Sequence, residues 1–180
     1  MKPIKQQILC GLFAALMACG ALVRIPGPFV PLTLQSFFAL LAGLLLPPKS
    51  ALISMLFYIL LGLSGLPVFA GGGGIGYILQ PSFGFIPGFA LAAFLMALFR
   101  AHSKKNSIWA YFLSCVFGLS VLYSMGLLHL VLLSSFLHTL DFSRIFFPFL
   151  LLPLPGDLLC AYLASFCAKR LLPLFQNKNF

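Results

Sequence analysis

The chain has 180 residues, of which 62% are hydrophobic and 7% charged, and its mean hydropathy is +1.11. A composition this apolar excludes a water-soluble domain and indicates an integral membrane protein. The formal net charge is +9, but the basic residues form no stripe interleaved with aromatic ones, so they do not indicate nucleic-acid binding.

Six apolar segments, bounded by proline, glycine or charged residues, are expected as helical spans of a hydrocarbon core about 30 Å thick, and the second and third of them are short. The expected spans cover approximately residues 6–23, 32–47, 49–66, 82–100, 107–134 and 143–170. None shows the alternation of polar and apolar residues that membrane barrel strands require. We therefore expect an all-α integral membrane protein in which six transmembrane helices form one compact bundle, a single domain over residues 1–180.

The first expected span carries small residues at four-residue spacing, including Gly11, Ala14, Ala15, Ala18 and Cys19. Such a smooth face allows another helix to approach closely in lipid. The partner is either a neighbouring helix of the same chain or a helix of a separate membrane subunit.

Polar residues then cluster where the second expected span begins. Arg24 precedes a proline-rich link, and Thr33 and Gln35 follow it in the sequence VPLTLQ, residues 30–35. An amide, a hydroxyl and a guanidinium at the mouth of a bundle are suited to a carboxylate or a urea group. We therefore predict ligand contacts for Arg24, Thr33 and Gln35, with contact to lipid headgroups as the alternative for the arginine.

A run of four glycines, residues 71–74, follows the third expected span and is itself followed by Gly76 and Tyr77. It matches GxGxxG formally, but no strand precedes it and it is not a P-loop, so the chain has no ATP-binding motif. Glycines expose backbone N–H groups and tolerate positive φ, which suits an anion-binding loop or a mobile lid; a plain external turn is the alternative. We predict ligand contacts for Gly73, Gly74, Gly76 and Tyr77, the last as an aromatic wall of the pocket.

The last expected span contains Pro148, Pro153, Pro155 and Gly156, which a regular helix cannot all accommodate. We expect a break here and a new helix start near Asp157. This aspartate is one of two acidic residues in the chain, and a carboxylate at membrane depth is costly unless it has a partner or a wet cavity. Because broken helices with polar groups mark sites in transporters, Asp157 is the predicted anchor of a ligand-binding site.

The basic residues predict the orientation in the membrane. With a cytoplasmic N-terminus, nine of the eleven basic residues fall on inner segments, and Arg24 and Arg144 fall on outer ones. The positive-inside rule therefore predicts a multi-pass protein of the cell (inner) membrane with both termini cytoplasmic. The segments 24–31 and 67–80 then lie on the outer side, where they are suited to form the mouth of a site.

The remaining reactive side chains indicate neither a metal site nor catalysis. His102, His129 and His138 are not spaced as metal ligands, and the five cysteines include no CxxC pair. No local signature joins a serine, a histidine and an acid as a catalytic triad. We therefore expect a protein that is not an enzyme and that has no cofactor and no bound metal.

Three segments taken together resemble the biotin-specific S components of energy-coupling factor (ECF) transporters, the BioY family. They are VPLTLQ at 30–35, GLPVFAGGGGIG at 65–76 and LPGDLL at 154–159, in the same order and spacing as in that family. The resemblance implies a six-helix membrane component that captures biotin from outside and delivers it inward together with a transmembrane coupling subunit and two ATPases. It also implies that Ala14 and Ala18 dock the coupling subunit, and that the loops after the first and third spans gate the site.

One position departs from the resemblance. Members of that family commonly carry a lysine three residues after the motif aspartate, where this chain has Cys160. Residues three apart on a helix lie on the same side, so we count Cys160 among the candidate ligand contacts. Arg24 or a backbone donor is the expected substitute for the missing ammonium group.

The resemblance and the residues together suggest how biotin is held. The carboxylate of Asp157 would accept the ureido N–H groups, Gln35 would add an amide, and the amides of residues 71–76 would receive the tail carboxylate. Three alternatives stay open: an S component for a different vitamin, an intramembrane enzyme that uses Asp157 with His129, and a structural subunit that binds no ligand.

Overall fold

The computed structural model describes residues 3–27, 30–102, 106–137 and 142–176. These residues form a bundle of α-helices, as expected from the sequence. The helices are α1 (Pro3–Leu22), α2 (Gln35–Leu45), α3 (Pro48–Leu63), α4 (Phe85–His102), α5 (Ile108–Leu137), α6 (Phe142–Leu151) and α7 (Leu154–Gln176). Two short strands, β1 (Arg24–Ile25) and β2 (Leu32–Thr33), pair antiparallel, and two 3₁₀ turns, Ile75–Leu79 and Pro81–Gly84, precede α4.

Four helical stretches of the described chain are long and apolar enough to cross a membrane. They are Ile4–Leu22, Pro81–His102, Ile108–Phe136 and Phe146–Pro173. Helices α2 and α3 are shorter apolar helices of 11 and 16 residues. At about 1.5 Å per residue, α2 is too short to span the hydrocarbon core alone. It lies among α1, α4 and α7, which bury nearly all of its side chains, so protein and not lipid surrounds it.

The segment expected as the sixth span is divided into two helices, α6 and α7. The predicted break is confirmed, and it lies at residues 152–153. The other helix-breaking residues lie within the two helices: Pro148 is inside α6, and Pro155 and Gly156 are in the first turn of α7. The first turn of a helix tolerates proline because its N–H groups have no partner within the helix.

Helix α1 packs against α2 and α3 through part of its small-residue face. Ala14 is 2% exposed within the core and Ala18 is partly buried, whereas Gly11, Ala15 and Cys19 are exposed. The side chain of Ala14 is therefore used in packing within the chain, which is the first of the two alternatives for this face. Docking of another subunit at Ala14 and Ala18 stays a prediction. In this conformation the accessible small residues of the face are Gly11, Ala15 and Cys19.

The segments that follow α1 and α3 and the segment that precedes α7 meet at the end of the bundle opposite the start of α1 and the end of α7. The N–H of Leu34 donates to the carbonyls of Gly20 and Val23 at 3.2 and 3.1 Å, which fixes the start of α2 over the end of α1. Gly20 is required at this crossing, because a Cβ there would press against the backbone of Leu34 and Gln35. The same end carries the glycine-rich loop and the start of α7, so three polar segments converge there.

Candidate ligand-binding cavity

A cavity opens at this end of the bundle, between the starts of α2, α4 and α7 and the loop after α3. Its volume is about 40 Å³, or about 450 Å³ when the space between its wall atoms and its mouth is included. The residues that line it are Val30, Pro31, Leu32, Thr33, Gln35, Ser36, Ala70, Tyr77, Ser82, Phe85, Ile86, Phe89, Pro153 and Asp157. The wall is mostly apolar with a few convergent polar groups, the composition typical of small-molecule sites.

Asp157 lies in the first turn of α7 and is only 6% exposed. The hydroxyl of Tyr123 on α5 donates to its Oδ2 at 2.7 Å, and the side chain of Ser36 is within interaction range of the same carboxyl group. No lysine or arginine among the described residues forms an ion pair with it. The positive end of the α7 dipole and these hydroxyls therefore stabilise the charge. A carboxylate accepts about four hydrogen bonds, so capacity remains for a ligand in the cavity.

Gln35 is the second buried polar group of the cavity, at 2% exposed. Its Oε1 accepts a hydrogen bond from Oγ1 of Thr33 at 3.2 Å, and its Nε2 donates to the hydroxyl of Tyr58 on α3. The Tyr58 hydroxyl in turn donates to the carbonyl of Val68 at 3.0 Å. A chain of hydrogen bonds thus joins β2, the start of α2, α3 and the loop after α3.

Tyr77 forms the aromatic wall of the cavity that the sequence predicted. Its ring centroid is 4.9 Å from that of Phe69 and 6.4 Å from that of Phe83. Its hydroxyl accepts a hydrogen bond from the N–H of Gly71 at 3.2 Å and lies 3.5 Å from Oγ of Ser82. The Tyr77 side chain therefore connects the glycine run to the wall of the cavity.

The glycines themselves do not line the cavity in this conformation. The N–H of Gly72 donates to the Phe69 carbonyl at 3.1 Å, and the N–H of Gly74 donates to the Gly62 carbonyl at 2.7 Å. Gly74 adopts φ +92°, and a Cβ on Gly73 would overlap the carbonyl of Leu66. Glycine is therefore needed at both positions for the loop conformation. Direct ligand contact by Gly73, Gly74 and Gly76 stays a prediction that requires the loop to rearrange.

Two other candidate residues also lie outside the cavity wall. Arg24 is exposed in β1, where it pairs with Thr33, a placement that suits the headgroup alternative. Cys160 follows Asp157 by one helical turn and is half-buried, with its thiol directed to the backbone of Phe37. The part of α7 that lines the cavity is therefore its first turn, and the next turn packs against α2.

Sequence reasoning missed Ser36, Tyr58 and Tyr123. Ser36 follows Gln35 directly in the sequence, and this adjacency to a predicted ligand contact could have identified it as a cavity residue. The two tyrosines lie within apolar helices of a chain that has 21 phenylalanines and only 5 tyrosines. A tyrosine where phenylalanine is the usual choice indicates that its hydroxyl has a partner, because a buried hydroxyl without one is costly.

The helices and the cavity define a class: a multi-pass membrane protein with a small cavity, lined by a few polar side chains, near one end of its bundle. The sequence profile of the BioY family matches residues 1–177, and the chain belongs to this family. The resemblance noted from three short segments is therefore confirmed over nearly the whole chain.

Individual relatives agree with this assignment. The chain is 36% identical over 181 residues to a probable biotin transporter BioY of Lysinibacillus sphaericus, covering 97% of this chain and 92% of the relative. It is 40% identical over 124 residues to the biotin transporter BioY of Thermotoga maritima, covering 68% of this chain and 72% of the relative. The crystal structure of the S-component for biotin from an ECF-type ABC transporter superposes with a TM-score of 0.81 at 25% identity, covering 98% of this chain and 100% of that chain.

Proposed function

We propose that this chain is the biotin-binding S component of an ECF-type transporter and that it is not an enzyme. Its family and its likeness to a biotin S component over 98% of the chain support this function. The observation that carries the site is the buried carboxylate of Asp157, which faces a cavity and has no cationic partner among the described residues.

The chemistry of biotin matches the wall of the cavity. Biotin has two ureido N–H donors, a carbonyl acceptor, an apolar fused ring and a flexible tail that ends in a carboxylate. Asp157 is placed to accept a ureido N–H, Gln35 to add an amide contact, and Tyr77 and Phe85 to enclose the ring. Each hydrogen bond to a charged group contributes about 1.5–3 kcal/mol, so Asp157 would supply the largest single polar interaction.

The cavity has to widen to admit this ligand. A volume of about 40 Å³ holds only a few water molecules. Tyr77 is the residue of the cavity wall that comes first after the glycine run. Gly72 and Gly74 have positive φ values, which residues other than glycine rarely adopt, so this loop can take up conformations that other sequences cannot. We propose that the loop carries Tyr77 outward when biotin enters and returns it over the bound ring.

The tail carboxylate is proposed to meet backbone N–H groups of residues 71–76. Because the N–H groups of Gly71, Gly72 and Gly74 already donate to other groups of the loop and of α3, this contact requires some of these hydrogen bonds to be released. Biotin should therefore bind more tightly than its tail amide, which lacks the negative charge, when both are measured by competition. Equal affinities would contradict the anion site without affecting the ureido site.

Release into the cell needs energy that this chain does not supply, because its sequence has no ATP-binding motif. We propose that a transmembrane coupling subunit and two ATPases drive the reorientation of the binding protein, with both termini in the cytoplasm. In that orientation the cavity, which lies opposite the start of α1 and the end of α7, faces the outside.

Binding of radiolabelled biotin to the purified protein, with competition by a panel of other vitamins, tests the proposed function. We expect biotin to displace the label and the other vitamins not to do so. Displacement by another vitamin instead would identify an S component of different specificity. Biotin should also raise the melting temperature in a concentration-dependent way, whereas a structural subunit without a ligand would show no such shift.

A further inference from the structure

Two buried tyrosines lie behind the cavity and contact its two buried polar side chains from the side away from the ligand space. Tyr58 on α3 is 1% exposed and contacts Gln35, and Tyr123 on α5 is 7% exposed and contacts Asp157. Neither lines the cavity. Each hydroxyl therefore acts on the site only through the group that it holds.

The hydrogen bonds of Tyr58 determine which way the amide of Gln35 points. Tyr58 has one hydroxyl proton, and it donates this proton to the Val68 carbonyl, which can only accept. The hydroxyl oxygen must then accept from Gln35, so the amide nitrogen faces Tyr58 and the amide oxygen faces Thr33, whose hydroxyl donates to it. A flipped amide would place its oxygen against the Tyr58 hydroxyl oxygen, whose only proton is donated to Val68, so two acceptors would meet.

Tyr123 has the same effect on the carboxylate. A carboxylate only accepts, so the Tyr123 hydroxyl donates to Oδ2 and holds the plane of the group. The ring of Tyr123 is itself held by Phe85, a cavity residue, at 5.5 Å in an edge-to-face contact. The remaining acceptor capacity of Asp157 is then directed at a fixed place in the cavity.

We infer that Tyr58 and Tyr123 are positioning residues that fix Gln35 and Asp157 so that the cavity presents acceptors to a ligand head carrying two N–H donors, such as a cyclic urea. This inference rests on the proposed function, because it assigns the ureido group of biotin to these two side chains. Preorganised acceptors favour a ligand with both donors over an isostere that lacks one, since the acceptor left unpaired would be buried.

The test compares two ligands on four purified proteins: wild type, Tyr58→Phe, Tyr123→Phe and Tyr111→Phe. The ligands are biotin and an isosteric analogue in which a ring oxygen replaces one ureido N–H, which turns the cyclic urea into a cyclic carbamate. Tyr111 is the matched control, because it is also buried and its hydroxyl donates to Asn106 at 2.9 Å, near the opposite end of the bundle. The number of biotin sites per protein molecule at saturation measures the folded fraction of each variant.

We expect Tyr58→Phe and Tyr123→Phe to raise the dissociation constant for biotin by about three- to tenfold, the effect of losing one hydrogen bond. They should also lower the preference for biotin over the analogue, while Tyr111→Phe changes neither quantity. The inference fails if both variants behave like Tyr111→Phe, or if they weaken the two ligands equally. An Asp157→Ala variant measured alongside distinguishes failure of the positioning role from failure of the proposed function. Wild-type affinity for biotin in this variant would show that the proposed site itself is wrong.

Discussion

At the scale of single residues, a buried aspartate with no cation beside it among the described residues requires a physical reason. Asp157 obtains a hydrogen bond from Tyr123, the nearby Ser36 side chain and the positive end of α7. These neutral donors stabilise a charge without neutralising it. The position that carries lysine in the resemblance is here Cys160, whose thiol is directed to the backbone of Phe37. On the proposed function, the remaining acceptor capacity of this carboxyl group is what receives an N–H donor of the ligand.

Gln35 provides the first residue-scale prediction. Gln35→Ala removes the amide and leaves the Thr33 hydroxyl and the Tyr58 hydroxyl each without one partner. We expect the dissociation constant for biotin to rise about tenfold, in line with the loss of one well-placed hydrogen bond to the ligand. Gln7→Ala is the control, because Gln7 is exposed on α1 near the opposite end of the bundle. The role of Gln35 would be rejected if the two variants bound biotin equally well.

At the scale of elements, the site depends on where helices begin and on a loop that only glycine allows. The starts of α2, α4 and α7 meet at the cavity, and the loop after α3 closes one side of it through Tyr77. The loop is fixed to α3 by the hydrogen bond from Gly74 N–H to the Gly62 carbonyl. Gly62 itself is needed because the ring of Phe69 occupies the space of a side chain there.

Gly74 and Gly76 give a matched pair of loop variants. Gly74 has φ +92°, whereas a Cβ at Gly76 would meet nothing within 4 Å and its φ is not in the left-handed region. Gly74→Ala should therefore destabilise the loop by about 1–2 kcal/mol and weaken biotin binding, while Gly76→Ala should bind normally. Binding assays and melting temperatures of both variants measure this. Equal losses would show that glycine acts here by direct ligand contact and not through backbone conformation.

The elements also show how far the sequence could predict the site. Proline and glycine in LPGD and the polar residues of TLQ mark helix starts, so the break before α7 and the convergence of Gln35 with Asp157 were predictable. The direction of the Cys160 side chain was not predictable. Residues three apart lie on the same side of α7, but α2 packs over the second turn of α7 and separates Cys160 from the cavity. Tyr58 and Tyr123 could not be paired with their partners, which lie 23 and 34 residues away in the chain. Such contacts are set by how helices pack and not by local spacing.

At the scale of the whole molecule, the bundle has a cavity at one end, and the start of α1 and the end of α7 lie at the other. A tight site that faces outward cannot release its ligand inside the cell unless the protein changes state, and a ligand alone shifts an equilibrium only by its difference in affinity for the two states. In the proposed orientation, this change of state is the step that the proposed coupling subunit and ATPases drive.

Proteoliposomes test this requirement. Liposomes that contain this chain alone should bind labelled biotin without accumulating it above the external concentration. Liposomes that also contain the coupling subunit and ATPases should accumulate it when ATP is supplied on the ATPase side. Concentrative uptake by the chain alone would show that the predicted dependence on partners is wrong.

The most direct test of the central claim is the dissociation constant for biotin of Asp157→Ala. The control is Asp141→Ala, which removes the only other acidic residue of the chain. Loss of a hydrogen bond to a charged group predicts about ten- to a hundredfold weaker binding for Asp157→Ala, with Asp141→Ala unchanged. Wild-type affinity in Asp157→Ala would contradict the claim that the buried carboxylate holds the ligand.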